Sequence, residues 1–143
     1  MKKINDFLLA GIIFVELFIG IVVAPIIFYP SAIIGDGILS HFQSGLLMTQ
    51  VFVKFNYLLL ITCIINFIYE LKNKKIIKIL LSAFVFILAL VFIFYYTQQI
   101  LNLQSLGDIA TKSDNFSNLH NGSELIFKII VFFQLILFFY KNK

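Results

Sequence analysis

The 143-residue chain contains no arginine, since all eleven basic residues are lysines, and only 13% of its residues are charged. With 61% hydrophobic residues and a mean hydropathy of +1.01, this scarcity of charge excludes an ordinary soluble domain. Cys63 is the only cysteine, so neither an intrachain disulfide nor a cysteine metal cage can form. Its expected role is that of a small apolar side chain. No phosphate loop, nucleophile elbow or pair of catalytic carboxylates occurs, which leaves the common hydrolase and nucleotide mechanisms without residues, so an enzyme is not the first expectation. No linker, low-complexity tract or repeat divides the chain, and residues 1–143 read as one domain. The pI near 9.2 does not imply nucleic acid, because no basic patch is interleaved with polar surface.

What the chain does have is four apolar segments, at 7–29, 46–69, 79–103 and 125–140. Each approaches or exceeds the ~20 residues a helix needs to cross hydrocarbon. The fourth is the shortest, and the polar residues before Leu125 are expected to extend it. The lysines are distributed unevenly. Lys2, Lys3, Lys72, Lys74, Lys75, Lys78, Lys141 and Lys143 lie on one side, and the other side carries Asp36, Asp108, Asp114 and Lys112. The positive-inside rule then predicts an all-α, four-helix transmembrane bundle with both termini cytoplasmic. Its partner is the lipid bilayer, and its residue usage suggests a multi-pass protein of a bacterial inner membrane. The start resembles a secretory signal, but its apolar stretch exceeds the roughly 7 to 15 residues of such a core, and Ala24 is followed by Pro25 rather than by a cleavage pattern. An uncleaved first helix is therefore expected.

Short connections set the order of packing. The LKNKK stretch forces the second and third segments into an antiparallel hairpin. Pro30, Gly35, Asp36 and Gly37 are turn-forming types, and Ser40 followed by Gln43 resembles a capping box. Ser113 or Asn115 is placed to cap a helix running through His120 into the last span, with Gly122 a weak point inside it. Of the eighteen Phe and six Tyr, most are expected to face lipid, with tyrosines near helix ends anchoring the interface.

Glu16 and Lys54 each interrupt an apolar stretch, and a charge at a helix centre costs about 2.5 to 3.5 kcal/mol on insertion scales. Such residues pair, face a bundle interior or line a pathway. Gln43, Gln50, Lys54 and Tyr57 share one stripe of the second helix at ~100° per residue. Glu16 shares a face with Gly20 and Ala24, a small-residue surface that lets a neighbour approach, and Pro25 beyond it is expected to kink the helix or free a carbonyl. By rise per residue, Glu16 lies about 15 Å above Asp6, Lys54 about 24 Å above Glu70, and Lys128 about 18 Å above Tyr140. Glu16, Lys54, Lys128 and Glu124 thus form a candidate intramembrane network with Gln50 and Tyr57, in which Lys128 also has Glu124 one turn away.

His120, Glu124 and Lys128 recur every four residues on one helical face, and His41 lies at the same outer boundary. Two histidines at one level can ligate haem or a divalent metal, although HxxxH, HExxH and CxxCH spacings are all absent. The leading expectation is no cofactor.

Three stretches carry a resemblance: GIVVAPIIFYP, MTQVFVKFNYLLL and FSNLHNGSELIF. Through them nearly the whole chain resembles the family of domain of unknown function 4149, small four-helix integral membrane proteins of the transmembrane protein 205-like kind. The resemblance implies a four-helix membrane fold and points to Ala24, Pro25, Phe28, Lys54, Asn56, His120 and Ser123, without supplying a reaction. Three functions remain open on these residues. They are movement, or support of movement, of a small solute or ion through a polar intramembrane cavity, with homo-oligomerisation expected for so small a carrier; a structural or assembly role in a larger membrane complex; and a haem- or metal-dependent enzyme using His41 and His120.

Overall fold

The computed structural model describes residues 1–30, 35 and 39–140. Asp36, Gly37, Lys141 and Lys143, which enter the turn and topology readings, lie outside them. The described chain is helical throughout, with no strand. It runs α1 (Lys2–Phe28), α2 (His41–Asn73), α3 (Ile76–Ser105), a single short turn α4 (Asp108–Thr111) and α5 (Asp114–Phe139). All but α4 are long and apolar enough to cross a membrane, so the protein is a four-helix transmembrane bundle. Every helix extends beyond its apolar segment at one or both ends. At 33 residues, α2 is about 50 Å long against a hydrocarbon layer of ~30 Å, so part of it projects past the membrane.

Local chemistry fixes where these helices begin. Ser40 Oγ accepts the Gln43 N–H at 3.2 Å while Gln43 Oε1 accepts the Ser40 N–H at 2.8 Å, which is the capping box read from the sequence. Ser113 Oγ accepts the Phe116 N–H at 3.2 Å, so α5 starts at Asp114, eleven residues before its apolar run, and carries His120 on a regular helix. Between α2 and α3 the chain turns through Lys74, held in the left-handed region at φ 55, which ends one helix and aims the next back along it.

Buried side-chain contacts define the packing. Asn66 Nδ2 donates to Asn5 Oδ1 at 3.0 Å near one end of α1 and α2, and Phe28 packs on the His41 ring at the other, so these helices are antiparallel. Two further rungs, Asn56 Nδ2 to Thr97 Oγ1 at 3.1 Å and Gln104 Nε2 to Thr49 Oγ1 at 2.9 Å, tie α2 to α3. The Phe84–Phe133 and Phe92–Phe127 pairs join α3 to α5 in the same antiparallel sense. Leu59 and Ile130 are wholly enclosed at the centre. Gly122, expected only to weaken its helix, has a specific use: a Cβ there would come within 2.7 Å of the Tyr96 ring, so the missing side chain is what lets α3 and α5 approach.

Two helices carry a widened turn. Residues Ile19–Val23 of α1 wind as a π-helix just before Pro25, and Phe92–Thr97 of α3 do the same. Proline lacks the N–H that would close the preceding turn, so the helix accommodates it by widening rather than by breaking. In α3 the extra residue has a different support, because Thr97 Oγ1 donates to the Phe92 carbonyl at 3.0 Å while accepting from Asn56.

Candidate functional site

Both widened turns border the same feature, a cavity of about 880 Å³ between α1, α2, α3 and α5. Gly20, Ala24, Pro25 and Phe28 form its α1 wall, Phe52 and Met48 come from α2, Phe92 and Thr97 from α3, and Phe127 and Val131 from α5. Its polar lining consists mainly of Glu16, Thr49, Thr97, Gln104, His41, His120, Ser123, Glu124 and Lys128. Its size lies within the usual range for small-molecule sites, about 300 to 1,000 Å³. Tyr29, His41, Thr111 and Phe116 line it at the end of the bundle opposite the chain termini.

The small-residue face of α1 makes this space instead of closing it. A Cβ at Gly20 would meet nothing within 4 Å, so nothing fills the space beside it, whereas Ala24 one turn on is partly buried against the core. What the face does is aim Glu16 into the same wall. That side chain is 1% exposed, and Gln134 of α5, also 1% exposed, faces it. Neither carboxylate oxygen of Glu16 and neither polar atom of Gln134 makes a hydrogen bond. A buried carboxyl group with no counter-ion and only the ill-placed Gln134 amide beside it is costly, so this pair is the least satisfied polar locus of the described chain.

The four-charge cluster expected from heights on the helices resolves into separate parts. Lys128 Nζ pairs with Glu124 Oε1 at 2.6 Å, one turn away on α5, with both side chains more than half exposed. Lys54, Gln50 and Tyr57 do share a stripe, but it lies on the outer surface, with Tyr57 65% exposed. Lys54 forms no ion pair among the described residues. The Thr49–Gln104 and Asn56–Thr97 rungs lie on either side of it, so it runs alongside residues 98–103, where Gln98, Gln99 and Asn102 make the end of α3 more polar. A lysine there reaches the polar boundary along its own stem and needs no buried partner. The reason the stripe faces outward is the opposite face of α2, where Ser44, Thr49, Asn56, Thr62 and Asn66 are buried against the other helices.

The motif residues divide in the same way. Ala24, Pro25, Phe28, His120 and Ser123 line the cavity, Asn56 knits the hairpin, and Lys54 faces outward. Ser123 Oγ donates to the His120 carbonyl at 2.7 Å. His41 and His120 both line the cavity, each ring against a phenylalanine, Phe28 and Phe116 respectively. Among the described residues no group of three or more His, Cys, Asp or Glu side chains is assembled as for a metal ion. Cys63 is buried and unpaired, as expected.

Sequence reading missed Gln134, for which a signal existed, a lone amide inside the apolar run IIVFFQLILFF. Thr97, at the start of the polar end of α3, both lines the cavity and joins α3 to α2. No curated protein and no solved structure matches the chain. A family model does match residues 7–108, covering α1 to α3 and stopping before α5, so the resemblance at His120 and Ser123 rests on their motif alone. By that match, and with four membrane-spanning helices, the chain belongs to the family of the domain of unknown function DUF4149.

Proposed function

We propose that the protein binds a small solute in this cavity and moves it, or supports a partner in moving it, across the membrane. The observation that carries the reading is the placement of Glu16, a fully enclosed carboxyl with no counter-ion among the described residues, in the wall of a solute-sized cavity. Unpaired ionisable groups inside membrane helices mark substrate, ion or proton pathways more often than they stabilise a fold. The Glu124–Lys128 pair and the two histidines offer a solute polar contacts beside the phenylalanines of the cavity. Four helices make a thin pathway, and function as an oligomer or beside a larger partner fits that size.

The test is complementation of a deletion strain whose growth defect has been found by challenge with metals and toxic compounds. Wild-type protein should restore growth, and Glu16→Gln should not, at equal amounts in the membrane. The same variant should melt at or above the wild-type temperature in detergent, because replacing an uncompensated buried acid by its neutral isostere relieves a desolvation cost. Full rescue by Glu16→Gln would overturn the proposal in favour of an assembly role.

A further inference from the structure

The lining of the cavity also bears on what enters it. Its formal charges are Glu16, Glu124 and Lys128, and the last two are occupied with each other at 2.6 Å. That leaves one acid without a counter-charge among the described residues, and it is the most deeply enclosed of the three. Between these groups the cavity walls are mostly apolar and rich in phenylalanine. Phe52, Phe92 and Phe127 form a mutual cluster with ring centroids 5.3 to 5.8 Å apart, each ring belonging to a different helix, and Phe28 and Phe42 line the cavity as well. A carboxylate at the inner wall combined with aromatic rings is the chemistry that recognises a positive charge carried on an apolar body: the acid supplies the counter-ion, and ring faces attract cations while tolerating hydrocarbon. An anionic solute would meet Glu16 with no free lysine to offset it. A strongly hydrated metal ion would find too few ligands, since three or more clustered His, Cys, Asp or Glu side chains are absent among the described residues.

We propose that the cavity selects lipophilic organic cations, held by the Glu16 carboxylate within the Phe52, Phe92 and Phe127 enclosure. This rests on the reading of the cavity as a solute site and adds the chemical class of the solute.

The experiment uses the full chain purified in detergent and tetraphenylphosphonium as probe, with binding to empty micelles subtracted. Saturable binding of one probe per chain is expected, and Glu16→Gln should weaken it by at least about tenfold, as loss of a charge-assisted contact does. Triphenylphosphine oxide, of similar bulk but neutral, should bind weakly in both proteins. The proposal is overturned by absence of saturable binding, by equal affinity in wild type and Glu16→Gln, or by tighter binding of the anion tetraphenylborate. Failure here is separable from failure of the broader reading. A Glu16→Gln protein that cannot rescue the deletion strain, alongside a wild type that ignores tetraphenylphosphonium, leaves the cavity in use by a solute of another charge.

Discussion

The hairpin of α2 and α3 and the seam between α1 and α5 are built from similar materials, apolar helices with a few buried polar groups, yet they treat those groups differently. In the hairpin, the Asn56 and Gln104 amides reach across to threonine hydroxyls on the opposite helix and hold the pair in register. At the seam, Glu16 and Gln134 are at least as deeply enclosed and bond to nothing. The same contrast holds for glycine, since Gly122 is filled by Tyr96 and Gly20 opens onto empty space. Polar groups that find partners inside the chain act as fasteners. At the seam the leftover groups are enclosed instead, with Glu16 in the cavity wall and Gln134 behind it.

Substitutions on the fastened side should expose that difference as loss of stability. The largest effect is expected from Gly122→Leu, which drives a side chain into the space the Tyr96 ring occupies and should cost about 1 to 3 kcal/mol as overpacking does. A melting temperature in detergent lower by several degrees, partly restored by adding Tyr96→Ala, is the expected reading; an unchanged melt would mean that α3 and α5 do not depend on this approach. Thr97→Val comes next, because it removes the hydroxyl that serves Asn56 and the Phe92 carbonyl together. Its cost should lie near the ~0.6 to 1.7 kcal/mol measured for hydrogen bonds between membrane helices. A neutral result would show that the rung contributes nothing to the hairpin. Lys54→Ala should do least, within about 0.5 kcal/mol and with full complementation, since its side chain is at the surface beside a polar helix end. Loss of rescue in that variant would return Lys54 to the functional site and break the division drawn between the two regions.

The comparison also explains what the sequence made legible. Helices, caps and the sharing of a face by Glu16, Gly20 and Ala24 follow from composition and period, and all are found as read. Lys54 shows the limit of that method. Periodicity groups Gln43, Gln50, Lys54 and Tyr57 correctly, but it does not say which side of a helix turns inward when both sides carry polar residues. Small buried groups such as Ser44, Thr49 and Asn56 decided it, because they fit between helices where a lysine does not. A polar intramembrane cavity was expected, but its walls were not legible, since a Gly-xxx-Ala surface equally permits a tight contact or a gap. The widened turns were hidden too: Pro25 warned of a local disturbance in α1, whereas the one in α3 depends on a threonine partnered across the hairpin.

Those widened turns give the bundle an adjustable winding. Each stores one residue more than an α-helix of the same length needs, and tightening either to ordinary α geometry would turn the segment beyond it by roughly 100°. In α1 that rotation would carry Ala24 and Phe28 away from the cavity while leaving Glu16, below the turn, where it is. The wall of the cavity is thereby set by how one helix is wound as much as by which side chains it carries. A change of pitch confined to Ile19–Val23 would therefore alter that wall without moving the residues before it on the same helix.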